Sequence, residues 1–501
     1  MLNKYTLGAI FILILTFLIT RLVNLTIIPI FTDEAIYLRW AQLALGDASM
    51  RFISLIDGKQ PLFIWFSMVA MKWIEDPLVA GRLVSIFSGL FGVIGMFFLG
   101  WEASKKISVG FMGSLLYIVI PIFLVYDRLA LMDGLLTSLG IWSLWLSLIF
   151  IRTLRLDVAL ILGMVIGTGL LTKSSATFYL LFLPLTLILF DFKKKFLTRN
   201  LLKWLGLYAI IIFISQTMYL ILRLSPFFHM IAQKDHNFIL NWNEFLQNPF
   251  MFALGNLNGL TIWLGEYLTW PVFILIILSL SWLIKKNFRL GLVLLLWFLV
   301  PFTALSFFGK IIYPRYLLFM TPSILIPLAI FLADIFLSKK LVLLKILFLL
   351  SFIPALWFDI LILSNPIKAP FPGADRDQLL DQWPSGYGVQ EVIKVVKSQA
   401  QEKPVFLATE GTFGLFPAAF ELYLKDEKNV TMKGYWPVNE LPLELLTKAK
   451  TTTTFIVFKE KEEIPPDWPL ELVLEIPRGS GKTYLRMFEI KPKDTSDGGP
   501  A

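Results

Sequence analysis

The chain has 501 residues, of which 57% are hydrophobic, 15% aromatic and only 16% charged, with a formal net charge of +9. A soluble domain carries about 25% charged residues, so most of this chain is built for lipid rather than water. It has no cysteine, which excludes disulfides, thiol nucleophiles and thiolate-held metals, and its two histidines, His229 and His236, are too few for a histidine-rich metal centre. Basic residues exceed acidic ones by about 12 up to residue 363 and fall short by about 3 beyond it, a pattern of membrane topology rather than of nucleic-acid binding.

Apolar runs near 20 residues predict a polytopic α-helical membrane protein with about eleven transmembrane helices. In chain order they fall at 5–24, 77–101, 107–126, 134–152, 157–171, 174–190, 201–222, 259–284, 290–308, 314–337 and 341–363. The first apolar run, 7–19, follows a single lysine and lacks a small-residue cleavage site, so it reads as a retained helix and not a signal peptide. With the N-terminus in the cytoplasm, the short inner turns carry Lys105 and Lys106; Arg152 and Arg155; Lys193, Lys194, Lys195 and Arg199; Lys285, Lys286 and Arg289; Lys339 and Lys340. Every one is basic, as a multi-pass protein of the cytoplasmic membrane requires. An odd number of spans then makes the C-terminal domain extracytoplasmic.

The transmembrane domain is expected over 1–364. Its first outer loop, 25–76, holds amphipathic stretches at 33–45 and 61–73 that read as juxtamembrane helices along the interface. A second long outer loop spans 223–258. A Pro/Gly-rich linker, 365–373, opens a small C-terminal α/β domain over 365–492. There the patterning predicts helices at 389–400, 415–424 and 442–449, and strands at 405–409, 453–458, 471–476 and 483–490. The polar tail 493–501 reads as disordered. No internal repeat is visible.

In this topology the charges within or beside the spans share one depth, at the outer end: Arg21, Asp33, Glu34, Lys59, Arg82, Asp127, Arg128, Asp133, Lys173, Glu266, Lys310 and Arg315. Long side chains snorkelling to the interface explain a few lysines. Carboxylates drawn from many helices point instead to a common outer site, because charge in a membrane is costly. Two carboxylates among several cations suit a reaction in which one carboxylate deprotonates a hydroxyl while cations hold a phosphate. Asp33 and Glu34 point about 100° apart on a helix, so they have different roles. The bland alternative is that Thr32-Asp33-Glu34 caps a helix.

Other patterns are set aside. Arg478-Gly479-Ser480-Gly481-Lys482-Thr483 ends like a P-loop, but Ile476 stands where the first glycine belongs, and the segment joins two strands. A hairpin turn fits it better. The glycines between Gly89 and Gly100 read as close helix packing. Trp263, Tyr267 and Trp270 read as an interfacial belt, with stacking on a sugar as the lesser alternative.

The same charged segments carry a resemblance. Thr32-Asp33-Glu34-Ala35-Ile36-Tyr37 resembles the Asp-Glu motif in the first outer loop of the C-type (GT-C) glycosyltransferases, nearest the protein O-mannosyltransferase and lipid A aminoarabinose transferase branch. Asp57-Gly58-Lys59-Gln60-Pro61-Leu62 is similar to that branch's Lys-Pro-Pro-Leu motif, with Gln60 in place of the first proline. Gly81-Arg82-Leu83, the segment from Arg128 to Asp133, Leu171-Thr172-Lys173, and Tyr313-Pro314-Arg315-Tyr316 followed by Pro322 resemble later segments of the branch. Together they span about residues 20 to 325. Trp383-Pro384-Ser385-Gly386-Tyr387-Gly388 resembles a segment of bacterial members, without a role attached. Neither the MIR domain of eukaryotic protein mannosyltransferases nor the Trp-Trp-Asp motif of oligosaccharyltransferases is present, which leaves the acceptor open.

The resemblance implies an inverting enzyme that moves a sugar from a polyprenyl-phosphate donor to an acceptor hydroxyl on the outer face. Asp33 would be the base, and Glu34 would position it or contact the sugar. Lys59, Arg82, Arg128, Lys173 and Arg315 would serve the donor phosphate; Asp133, Tyr313, Tyr316 and Glu266 are further site candidates. Expected partners are the lipid-linked donor, membrane lipid, and a protein, lipid or glycan acceptor. No cofactor is expected, with a divalent metal left open. The competing reading is a transporter or flippase of a lipid-linked substrate, which calls for midplane charge pairs and repeat symmetry; a non-catalytic scaffold is the third.

Overall fold

The computed structural model describes residues 4–192, 197–338 and 341–491. Lys193, Lys194, Lys195, Lys339 and Lys340 of the expected basic turns, and the tail 493–501, lie outside the described residues. The chain divides into two units: residues 1–25, 44–75 and 79–372, and residues 26–43, 76–78 and 373–501.

The first unit is helical. Five helices are long and apolar enough to cross a membrane: Pro77–Ser104, Met132–Thr153, Leu197–Leu224, Phe288–Phe308 and Val342–Ser364. Two pairs reach that length jointly but bend, Ile107–Val119 with Pro121–Asp127 by 66° and Ala253–Leu268 with Trp270–Lys286 by 103°. By length and composition that makes five crossing helices among the described residues, or up to seven if each bent pair is one span. The remaining expected stretches are shorter apolar helices, at Thr6–Leu22, Leu156–Leu170, Ser174–Leu189 and Thr321–Leu337.

Both bends have local causes. Ile120 is extended (φ −92°, ψ 122°) ahead of Pro121, and a residue before proline is pushed out of the helical region. Thr269 sits at φ 62°, ψ 137°, with Pro271 following. The expected straight helix over 259–284 is therefore broken at Thr269. The break also moves Tyr267 out of the expected interfacial belt: it is fully buried and stacks on Phe358 at 6.0 Å. The glycine run behaves as packing, since a Cβ on Gly100 would lie 2.7 Å from the Val109 carbonyl oxygen.

The second unit is built on a five-stranded sheet. β1 (Val405–Glu410), β2 (Val430–Tyr435), β3 (Thr453–Phe458), β4 (Leu470–Pro477) and β5 (Tyr484–Ile490) stand in the order β2-β1-β3-β5-β4. β1 runs parallel to β2 and β3, whereas β5 is antiparallel to both β3 and β4. Every residue of β1 is buried, as expected of a central strand covered on both faces. Phe406, Ala408, Ile456, Phe458, Phe488 and Ile490 form one core with Val438 and Leu445. The helix Val389–Glu402 buries Val389, Val392, Ile393, Val396 and Ala400, the spacing of an amphipathic helix. The glycine-rich segment 478–483 is a tight turn between β4 and β5, closed by Arg478 N–H to the Thr483 carbonyl at 2.9 Å.

The start of the helix Thr32–Gly46 belongs to this second unit. Phe31 bridges to Ser385, and the Thr32 N–H donates to the Pro384 carbonyl at 3.0 Å. Ala35, Tyr37, Leu38 and Ala41 are all buried. The helix forms where expected, but it is enclosed on more than one face instead of lying half-immersed along an interface.

Candidate functional site

Within the first unit lies a cavity of about 340 Å³, with Lys59, Asp133, Lys173, Ser174, Lys234, Asp235 and Tyr316 on its polar side. Phe178, Leu181, Leu305 and Phe319 give it an apolar side.

Lys59 follows the 3-10 helix Ala48–Asp57, which ends at Gly58 in the left-handed region (φ 66°). A Cβ on Gly58 would meet the Met230 carbonyl oxygen at 2.5 Å and Lys234 Cβ at 2.6 Å. Glycine therefore satisfies both the turn and the close approach of the helix Met230–Phe238. That approach brings Lys234 to Asp57 at 2.6 Å and sets Lys59 Nζ over the Phe238 ring at 5.7 Å. Gln60, the departure from the Lys-Pro-Pro-Leu pattern, donates from Nε2 to Ser174 Oγ at 2.8 Å.

Asp133 lies in the first turn of Met132–Thr153 and is almost fully buried. Its Oδ1 accepts from Lys173 Nζ at 2.7 Å, and that ammonium sits 4.7 Å from the Tyr316 ring. Sequence reasoning missed Asp235. Burial pushes its carboxyl above the usual range, against the pull of a Ser174 hydrogen bond and the charges of Lys59, His236 and Lys173. The signal was present as Lys234-Asp235-His236, the densest charge in the long loop, but no motif selected it.

The other candidates divide. Arg315 stacks beside Tyr313 (4.8 Å) and Tyr316 (5.9 Å), whose rings meet edge to face; of this trio Tyr316 reaches the cavity. Arg82 donates to the Leu25 carbonyl at 2.8 Å. Arg128 donates to the carbonyls of Thr20, Arg21, Val23 and Asn24. Both arginines thus close the end of the first helix, where Arg21 pairs with Asp127 in full burial at 3.2 Å. Glu266 ends the first half of the broken helix with a buried, unpartnered Oε2, away from the cavity lining.

Asp33 and Glu34 stand in the second unit. Glu34 is fully buried and accepts from the Phe31 N–H at 3.1 Å. Glu34 therefore ties the start of its helix, as the Glu at the third helical position of a capping box does. Asp33 is half-buried beside it.

The chain shares its fold with solved structures, and part of it matches a family model. Residues 58–219 match the family model described as dolichyl-phosphate-mannose-protein mannosyltransferase, a stretch holding Lys59, Arg82, Arg128, Asp133 and Lys173. The chain is similar in structure to ArnT from Cupriavidus metallidurans in the apo state, with TM-score 0.58 and 12% identity over 99% of both chains. It is similar to the same protein bound to undecaprenyl phosphate, with TM-score 0.57 and 13% identity over 99% of both chains. The archaeal oligosaccharyltransferase AglB from Archaeoglobus fulgidus, in complex with an inhibitory peptide and a dolichol-phosphate, matches with TM-score 0.53 and 11% identity over 91% of this chain and 69% of that one. No curated protein matches by sequence.

Proposed function

We propose that this chain is a membrane glycosyltransferase that takes a sugar from a polyprenyl-phosphate donor and passes it, with inversion, to an acceptor hydroxyl. The observation that carries the reading is the cavity in which Lys59, Lys173 and Ser174 converge beside an apolar wall. Two ammonium groups and a hydroxyl suit a phosphate, and the phenylalanines and leucines suit the isoprenoid attached to it. In the reaction the acceptor oxygen bonds to the anomeric carbon as the carbon–oxygen bond to phosphate breaks. The phosphate leaves as a stable anion, so the step needs a base and cations but no general acid. Lys59 is the principal phosphate ligand. Asp133 orients Lys173, which adds the second charge. The motif resemblance makes Asp33 the base that takes the hydroxyl proton, while Glu34 holds the backbone that presents it. No cofactor or metal is invoked. The chain resides in the cytoplasmic membrane, with the reaction on the outer face.

Binding of undecaprenyl phosphate to the full chain in nanodiscs tests this reading. The lipid phosphate should bind at least about tenfold more tightly than undecaprenol, because the phosphate pairs with desolvated cations. Equal affinity for the two lipids rejects the donor site.

A further inference from the structure

The second unit gathers a group of unused polar and aromatic side chains at one edge of its sheet. Because β1, β2 and β3 are parallel, their C-terminal ends leave on the same edge, the edge at which open α/β sheets bind ligands. Three exits supply Glu410, Trp436 and Lys459. The turn between β4 and β5 brings Arg478 to this edge too, since β5 runs antiparallel to β3.

Lys459 is 6% exposed. Its ammonium lies 4.0 Å from the Trp383 ring centroid and 5.6 Å from that of Trp436. The nearby Glu410 carboxylate is already occupied: its Oε2 accepts from the backbone N–H groups of Lys459, Glu460 and Lys461. Among the described residues Lys459 Nζ has no carboxylate paired to it, and burial pulls its pKa down against the charges of Glu460 and Glu410. Arg478 is fully buried; Nη1 donates to the Tyr484 carbonyl at 2.8 Å, while Nε and Nη2 have no hydrogen-bond partner. Buried donors left unmet are costly. Arg478 with its unmet donors, and Lys459 without a paired carboxylate among the described residues, mark a place for an oxyanion at this edge. Beside them, Trp436 and Phe413 are 57% and 56% exposed, large apolar faces of the kind on which a sugar ring stacks.

This edge is joined to the Asp33 segment. Trp383, which carries Lys459, is followed by Pro384, whose carbonyl accepts from both the N–H and the hydroxyl of Thr32. A Cβ on Gly386 would run into the Ile30 carbonyl oxygen, so the Trp-Pro-Ser-Gly segment closes on the chain just ahead of Asp33. Phe413 in turn lies 6.4 Å from Trp40, on the helix that Asp33 begins.

We infer that the strand-exit edge of the second unit is the acceptor site, and that it takes a saccharide bearing an oxyanion, with Trp436 and Phe413 against the ring and Lys459 and Arg478 on the carboxylate or phosphate. The inference rests on the transferase reading for its use, since the bound sugar's hydroxyl is offered to Asp33. Its test does not require turnover.

Glucuronic acid, glucose 6-phosphate and glucose are titrated calorimetrically into the full chain in nanodiscs, alongside inorganic phosphate. A charged sugar should bind saturably and about tenfold or more above glucose; whichever charged sugar binds better tells carboxylate from phosphate. Lys459→Met should abolish that preference. Trp436→Ala changes an exposed ring and serves where Lys459→Met fails to fold; it should weaken both charged sugars about tenfold. Glucose binding as tightly as the charged sugars, inorganic phosphate binding as tightly as glucose 6-phosphate, or unchanged affinity in either folded variant overturns the site. Loss of undecaprenyl phosphate binding bears only on the donor reading and leaves these titrations standing.

Discussion

Lys59 and Asp33 each sit in a short motif whose chemistry assigns them a proposed role that substitution can test. If Lys59 neutralises the donor phosphate, Lys59→Ala should weaken undecaprenyl phosphate binding by about 2–5 kcal/mol, read by titration in nanodiscs; unchanged affinity removes the lysine from this role. Asp33→Asn keeps the shape but cannot accept a proton. Transfer should fall by about two orders of magnitude or more, with donor binding intact. Glu34→Gln should instead lower the unfolding midpoint more than the rate, since Glu34 ties the Phe31 N–H; a larger rate loss there would exchange the two roles. Asp235 was invisible because its role comes from distance: Lys59 and Lys173 reach it across elements far apart in sequence. With its folded pKa raised mainly by burial, Asp235 stabilises the fold only where it is protonated. That relative advantage is full below its unfolded value of about 3.9 and is lost as pH rises through the raised folded pKa. Asp235→Asn should therefore stabilise the protein at neutral pH and lose that gain in acid. Donor affinity of the wild type should rise as pH falls through the same window, when one carboxylate fewer opposes Lys59 and Lys173 (Asp133 stays paired with Lys173), and the variant should lack this rise. A pH-independent difference between the two proteins rejects the assignment.

At the scale of elements, hydropathy located every apolar stretch but could not see where a run of lipid-compatible residues breaks. Thr269 and Pro271 sit inside a continuous apolar sequence, and the 103° turn there depends on backbone angles rather than on polarity. β2 was missed for a related reason: VTMKGY is short, polar at alternate positions and partly exposed, as suits an edge strand. The resemblance makes Arg82 and Arg128 phosphate ligands; in the structure they also donate to carbonyls at the end of a helix. Arg128→Met separates the two uses. It strips four carbonyls of charge-assisted hydrogen bonds, so the protein should lose about 3 kcal/mol or more of stability, visible as a lower thermal midpoint. Undecaprenyl phosphate affinity should stay within about threefold, well short of the loss expected from unpairing a phosphate. A tenfold loss of affinity with an unchanged midpoint would return Arg128 to the donor.

For the whole molecule, the sequence pattern draws a boundary at about residue 364 by charge and hydropathy, and the structure divides the chain into units that meet at residues 372 and 373. What it could not show is that 26–43, written into the first outer loop, belongs with the C-terminal sheet, because the bonds from Thr32 and Phe31 to Pro384 and Ser385 join residues some 350 positions apart in the chain. That membership constrains topology. A segment that pairs with the C-terminal unit must lie on the same side of the membrane as that unit, so Asp33 and the sheet share a compartment whatever the number of spans between them. In the proposed orientation, with the basic turns inside, that compartment is the outer one. A phosphatase reporter fused after Pro366 should be active outside the cell, and one inserted after Asp47, just beyond the helix that Asp33 begins, should be active there too. A reporter after Arg155 should be silent, since Arg152 and Arg155 mark an inner turn. Opposite signals after Asp47 and Pro366 would break the pairing of the two segments, and activity at Arg155 alone would invert the orientation and with it the outer-face site.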